Sequence, residues 1–135
     1  MTILTAYIMR GFPGSGKSDL VKDLIRGREA AIHSTDDYHL VDGKYIFNKD
    51  KIVDYHRQNL EAFQASCKEG IEVVVCDNTN IIKKHYKPYV KAAKKYGYKV
   101  VVVIAGEFDP HICHERCKHG LSLSHIKDYK GQFEL

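Results

Sequence analysis

No apolar run in this 135-residue sequence approaches the ~20 residues that a bilayer-crossing helix needs; the longest, Val100 to Ala105, is the length of a strand. Met1 to Arg10 lacks the cationic head and long apolar stretch of a cleaved leader. Cysteine is sparse. Cys67, Cys76, Cys113 and Cys117 are too few for a disulfide framework and fit a reducing compartment. Internal repeats, low-complexity tracts and Pro/Ser/Gly-rich linkers are missing too. These absences lead us to expect a single domain over residues 1–135, cytoplasmic and without a membrane partner. Hydrophobic residues make up 44% and charged residues 28%, the mixture of an ordinary globular domain. Acid is missing from one long stretch. None occurs between Asp77 and Glu107, where Lys83, Lys84, Lys87, Lys91, Lys94, Lys95 and Lys99 all fall. The whole chain has a net charge of +4, so everything outside this block is net negative. Segregated charge of this kind is either a solvated helix face or a surface for an anionic partner.

What is present alternates. The apolar run Ala6 to Met9 leads into a glycine-rich turn and a helical segment from Lys17 to Arg26. A second run, Ala30 to His33, ends in Ser34-Thr35-Asp36-Asp37, and a loop holding Asp42-Gly43 follows. Asn48 reads as the N-cap of a long helix that carries Ile52, Tyr55, His56, Leu60, Phe63 and Cys67 at helical spacing and stops at Gly70. Ile71 to Cys76 predicts a buried strand. Lys83 to Tyr96 predicts a helix with Ile82, Tyr86, Tyr89, Val90 and Ala93 inward and lysines outward. Lys99 to Ala105 predicts a fourth strand, and Pro110 to His119 and Ser122 to Phe133 two closing helices. Continuous apolar strands alternating with amphipathic helices make an α/β domain, a parallel sheet of about four strands covered on both faces. Ligands bind at the carboxyl ends of such strands. The polar clusters fall there, after the first, second and third strands.

The segment Gly11-Phe12-Pro13-Gly14-Ser15-Gly16-Lys17-Ser18 matches G-x-x-x-x-G-K-[ST] between a strand and a helix, the context of a P-loop. Gly11, Gly14 and Gly16 let backbone N–H groups curl round phosphate oxygens, and the helix starting near Lys17 adds its positive end. Lys17 neutralises the β- and γ-phosphates, and the Ser18 hydroxyl is a Mg²⁺ ligand. The expected cofactors are ATP, or another nucleoside triphosphate, and Mg²⁺.

Asp36 and Asp37 follow the second strand. Adjacent carboxylates near a triphosphate repel it unless they bind metal or take a proton, and one of them can serve as general base for an attacking hydroxyl. The competing role is capping the next turn, more so for Asp37. Asp77 closes Val73-Val74-Val75-Cys76, the strand-then-Asp pattern that holds Mg²⁺ or its water shell; an Asx-turn is the alternative. Asn78, Thr79 and Asn80 add neutral hydrogen-bonding groups at the same strand end. In Glu115-Arg116-Cys117-Lys118-His119-Gly120, cations could fold over the transferring phosphoryl group, although by itself the segment reads as a basic helix end stopped by glycine. His111, Cys113, His114, Cys117 and His119 resemble a metal cluster, but Cys113 and Cys117 lie four apart on one helix and no second cysteine pair exists, so zinc is not the expected reading.

With these residues in place, the chain resembles the kinase domain of phage-type 5′-polynucleotide kinases. It is also similar to short P-loop ATP-binding proteins carrying S-T-D-D and D-N-T-N. The resemblance runs from Arg10 to about Phe133 and rests on the P-loop, Ser34-Thr35-Asp36-Asp37-Tyr38, Asp77-Asn78-Thr79-Asn80 and Arg116-x-x-His119-Gly120. It implies a P-loop NTPase three-layer sandwich with a helical lid. It implies Asp36 as the base that activates a DNA or RNA 5′-hydroxyl, with Asp37 on the acceptor side, and Arg116 over the phosphates. Asn78 and Thr79 would orient the acceptor.

The chain departs from that pattern at two positions. Polynucleotide kinases carry an arginine three residues after the catalytic Asp, against the acceptor's phosphate, where this chain has His39. They carry a second lid arginine where this chain has His119. The expected activity is ATP- and Mg²⁺-dependent transfer of the γ-phosphate to a hydroxyl, with single-stranded DNA or RNA 5′ ends as the expected partner. The alternatives are a small-molecule kinase on the same scaffold and a nucleotide-binding or NTPase module without kinase activity.

Overall fold

The computed structural model describes residues 3–12, 15–105, 111, 112, 115 and 123–133. The main elements are β1 (Thr5–Arg10), α1 (Lys17–Leu24), β2 (Ala30–His33), β3 (Leu40–Val41), β4 (Lys44–Tyr45), α2 (Ile52–Glu69), β5 (Val73–Asp77), α3 (Lys83–Lys95), β6 (Lys99–Ile104) and α4 (Leu123–Gln132). Two short 3₁₀ turns, Thr35–His39 and Lys49–Lys51, precede β3 and α2.

Four strands form one sheet in the order β2-β5-β1-β6, and every pairing in it is parallel. Parallel strands need covered crossovers, which is why helices lie between them in the chain and why the central β5 is apolar up to its closing Asp77. Val73, Val74, Val75 and Cys76 of β5 are fully buried. One face of the sheet packs Ala6, Ile8, Val74 and Cys76 against Phe63 and Cys67 of α2 and Tyr89, Ala92 and Ala93 of α3. The other face packs Met9, Val73 and Val75 against Val21 and Leu24 of α1. Helices on both faces make the three-layer α/β sandwich expected from the alternation.

The capping chemistry matches the sequence. Asn48 accepts a hydrogen bond from the Asp50 amide at the start of the turn into α2. Gly70 ends α2 in the left-handed conformation, φ 77°, where a side chain is costly. The loop holding Asp42-Gly43 is a two-stranded antiparallel hairpin, β3 with β4. Both of its turn residues have positive φ, 50° and 79°, the geometry that matches the twist of a two-residue hairpin. Of the two closing helices expected, the second is α4; the first falls largely outside the described residues. Among the described residues no helix is long and apolar enough to cross a membrane.

Candidate active site

The strand order brings three polar strand ends side by side. The P-loop leaves β1, Asp77 ends the neighbouring β5, and Thr35-Asp36-Asp37 leaves β2 on the far side of β5. Met9 pairs with Asp77 and His33 with Cys76, so the exits are level.

The P-loop is held from below. The Gly11 amide donates to the Thr79 carbonyl at 3.0 Å, tying the loop to the exit of β5, and the Ser15 amide donates to the Phe12 carbonyl at 3.0 Å. Gly11 has no room for a side chain: a Cβ would lie 2.7 Å from Ser15 Oγ and 2.9 Å from the Ala105 Cβ. Gly16 caps α1 at φ 97°, a conformation that glycine adopts without strain. The Lys17 ammonium donates to the Phe12 carbonyl at 3.4 Å, curled over the loop where a phosphate would lie. Among the described residues the buried Ser15 Oγ has no hydrogen-bond partner, so a hydroxyl sits inside the cradle with bonding capacity to spare. Pro13 and Gly14 lie outside the described residues.

Asp77 and Ser18 present hard oxygen donors from β5 and from the first turn of α1, the ligand type Mg²⁺ takes alongside phosphate oxygens. That donor set fits the ion. Among the described residues no group of three or more His, Cys, Asp and Glu side chains is disposed to hold a metal. Of the zinc-like cluster discounted from sequence, Cys113, His114, Cys117 and His119 fall outside the described residues.

A buried polar network supports the strand ends next to Asp36. The Thr35 amide donates to Asn78 Oδ1 at 2.9 Å. Asn59 Nδ2 donates to the Tyr89 hydroxyl at 3.0 Å. Burial pushes the Tyr89 phenol up to about 12, with the neighbouring Asn59, Asn78 and Thr35 acting in the opposite direction. Thr35 Oγ1 lies 3.1 Å from Nδ1 of His56. The Tyr45 hydroxyl donates to Asp36 at 3.5 Å, so the hairpin leans on the carboxylate. Asp36 is half-buried and Asp37 exposed, and the Asp37 amide closes the turn on the Ser34 carbonyl.

Other candidates are placed differently. His39 is buried, 2% exposed, with Nδ1 accepting from the Asn48 amide and its ring packed on Phe47, Tyr45 and Tyr55. Its side chain belongs to the base of the hairpin. Thr79 contributes its carbonyl to the P-loop, and Asn78 commits Oδ1 to Thr35. Arg116 and His119 fall outside the described residues.

The sequence does not single out Arg10, and it shows Asn80 only as a neutral hydrogen-bonding group at the strand end. Arg10, 1% exposed, donates to the carbonyls of Asn80 and Ile81 and lies between the rings of Tyr86 and Phe133, 4.8 and 4.5 Å from their centroids. Asn80, at φ 48°, donates back to the Met9 carbonyl at 2.7 Å. This clamp joins β1, the exit of β5, α3 and the chain after α4 directly beneath the P-loop. The local signal was an arginine ending an otherwise apolar strand.

The chain is similar to known proteins in sequence and in fold. A family described as AAA domain matches residues 7–119. The chain is 33% identical over 127 residues to human NEDD4-binding protein 2, covering 91% of this chain and 7% of that protein. It is 30% identical over 135 residues to rat 2′,3′-cyclic-nucleotide 3′-phosphodiesterase, covering 96% and 31%. It therefore spans under a third of the length of either relative. Among solved structures, a chain of the Pnkp1/Rnl/Hen1 RNA repair complex superposes with a TM-score of 0.77 at 17% identity, over 98% of this chain and 45% of that one. The APS kinase CysC of Mycobacterium tuberculosis superposes with a TM-score of 0.55 at 17% identity, over the full length of both chains. With its phosphate cradle after β1 and its acidic strand ends beside it, the chain belongs to the family described as AAA domain.

Proposed function

We propose that this protein transfers the γ-phosphate of ATP, with Mg²⁺, to the 5′-hydroxyl of a polynucleotide. The observation that carries the proposal is the adjacency of P-loop, Asp77 and Asp36 on three neighbouring strands, with Asp36 on the side away from the phosphates. A hydroxyl held beside Asp36 faces a γ-phosphate held over Gly16 and Lys17.

Backbone amides of the loop and the N-terminus of α1 bind the phosphate oxygens, and Lys17 leaves the Phe12 carbonyl to neutralise the β- and γ-phosphates. Ser18 and Asp77 are the residues that would hold Mg²⁺, which when bound offsets charge on the β- and γ-oxygens. Asp36 accepts the proton of the acceptor hydroxyl as that oxygen attacks phosphorus in line. The bond to the β–γ bridging oxygen breaks, and ADP leaves with the electron pair. Thr35, locked to Asn78, and Tyr45 hold the base in position. Arg116 and His119, by their motif, would add to the charge compensation of the transferring phosphoryl group.

The burial of His39 favours a second reading, a small-molecule kinase, because the position three residues after the base does not reach an acceptor phosphate. Radiolabelled ATP offered with 5′-hydroxyl DNA and RNA, then nucleosides and sugars, then water alone separates the readings. End-labelled oligonucleotide is the expected product. Label on a sugar or nucleoside only, or release of inorganic phosphate only, overturns the polynucleotide acceptor.

A further inference from the structure

β6 is the outermost strand of the sheet, with β1 between it and the strand ends that lead to Asp77 and Asp36. The Lys99 amide donates to the Leu4 carbonyl and the Ala105 amide to the Arg10 carbonyl, both at 2.8 Å. In a parallel ladder, alternate residues of a strand turn their amide and carbonyl toward the same neighbour. Lys99, Val101, Val103 and Ala105 therefore face β1, and Val100, Val102 and Ile104 turn their amides and carbonyls outward. Among the described residues no strand pairs with that side. Edges of this kind are usually protected by charge, proline or a bulge. Val100 to Ile104 is aliphatic throughout, runs in unbroken register with β1, and leaves Val102 and Ile104 exposed.

Val100 and Val102 also line a groove against α3, which contributes Val90 and the exposed Lys87, Lys91 and Lys94. None of these three lysines has an ion-pair partner among the described residues. Charge and hydrogen bonding together select the occupant. A second copy of this chain, paired edge to edge, would bring a second lysine-bearing helix to the same place. A polynucleotide would answer the lysines, but its phosphates only accept hydrogen bonds, so they offer nothing to the outward carbonyls and lay charge over an aliphatic floor. An extended peptide meets all three demands. Its backbone supplies donors and acceptors in alternation, its apolar side chains fill the groove, and its carboxylates meet the lysines.

We propose that the outer edge of β6 takes an added strand from a partner protein, an extended segment that combines aliphatic with acidic residues. Proline is excluded from its paired stretch because a ladder position needs the amide. The added strand extends the sheet on the side of β1 away from Asp36, so the partner docks beside the phosphate cradle and leaves the acceptor side open. The proposal goes beyond the phosphotransferase reading and does not depend on it. Main-chain pairing to Val100, Val102 and Ile104 gives the affinity, and the lysines of α3 select for acid.

The test pans a phage-displayed pool of random peptides, each about as long as two strands, on the full chain. The double variant Lys87→Glu, Lys91→Glu serves for counter-selection. Recovered peptides should mix Asp or Glu with aliphatic residues. Measured by fluorescence anisotropy, their affinity should fall about ten-fold or more in the double variant. N-methylation of alternate peptide amides should abolish binding, because it removes the ladder without touching the protein. Amide exchange followed by NMR should slow at Val100, Val102 and Ile104 when the peptide binds and change little at Val101 and Val103. Val102→Pro removes one outward amide and no bond to β1, and should weaken binding too. Calorimetric ATP titration reports that both variants are folded. A pool without enrichment, an affinity indifferent to the lysine reversals, or unchanged exchange at the three outward amides overturns the proposal. Protection of those amides only as the chain doubles its mass in sedimentation assigns the edge to a second copy. Protection by a single-stranded oligonucleotide and by no peptide assigns it to nucleic acid, and either result likewise overturns the proposal.

Discussion

The backbone amide of Thr35 donates a 2.9 Å hydrogen bond to Oδ1 of Asn78, so the turn carrying Asp36 is tied to the strand end carrying Asp77. The residues are 43 apart in sequence and on neighbouring strands. The bond sets the spacing between the proposed base and the proposed metal ligand. Asn78→Ala leaves the buried Thr35 amide without that acceptor and should cost about 1–3 kcal/mol. In turnover assays kcat should fall more than nucleotide affinity does, and denaturant melts alongside calorimetric ATP titration separate the two effects.

Substitutions at the cradle and at the base should divide binding from chemistry. Lys17→Ala should weaken ATP binding and abolish transfer. Asp36→Asn should keep ATP binding and lower kcat by about 10²–10⁴-fold, the usual worth of a general base. Asp37, exposed at the same turn, should tolerate the equivalent change. A benign Asp36→Asn beside a damaging Asp37→Asn would reassign the base.

Gly11→Ala tests the loop's close approach. Its new Cβ meets Ser15 Oγ and the Ala105 Cβ at under 3 Å, so the loop or β6 must shift. Overpacking of this kind costs about 1–3 kcal/mol. A thermal melt should show the loss, and ATP affinity should fall with it because Ser15 lies in the cradle.

Acid should destabilise the fold through its histidines. His33 is lowered by burial while its Nε2 lies 2.8 Å from Ser66 Oγ. A lowered folded value means that the unfolded chain binds the proton more tightly. The stabilisation is therefore complete above about pH 6.5 and is lost as pH falls through the folded value. Tm measured from pH 8 down to pH 5 should decline, and His33→Gln should flatten that decline.

The exposed lysines of α3 line a groove of about 590 Å³ over Val100 and Val102 of β6, with Lys83, Lys87, Lys91 and Lys94 along it. If they neutralise about four phosphates of a bound oligonucleotide, log K should fall with log salt at a slope near −3. That is about a 50-fold loss between about 50 and 200 mM salt. Reversing Lys84, Lys87 and Lys91 to Glu should remove most of the slope; an unaltered slope would make the block a solvated face.

The amino-acid sequence alone determined the local pieces of this protein. The P-loop, the strands ending at His33 and Asp77, the Asn48 cap and the Gly70 stop are each written in neighbouring residues, because capping, turn chemistry and hydrophobic period act over a few positions. Only the tertiary structure decided which strand ends meet. The order β2-β5-β1-β6 places Asp77 between Asp36 and the P-loop, and that order comes from crossover packing over tens of residues. Long range also explains Arg10: its place at the end of an apolar strand is a local signal, but its partners Asn80, Ile81, Tyr86 and Phe133 lie far along the chain. His39 and His56 show the same division. By position, His39 occupies the place of an arginine in the family it resembles, yet the rings of the hairpin enclose it. His56, one residue among many on an amphipathic helix, reaches Thr35 beside the base because α2 packs across the end of β2.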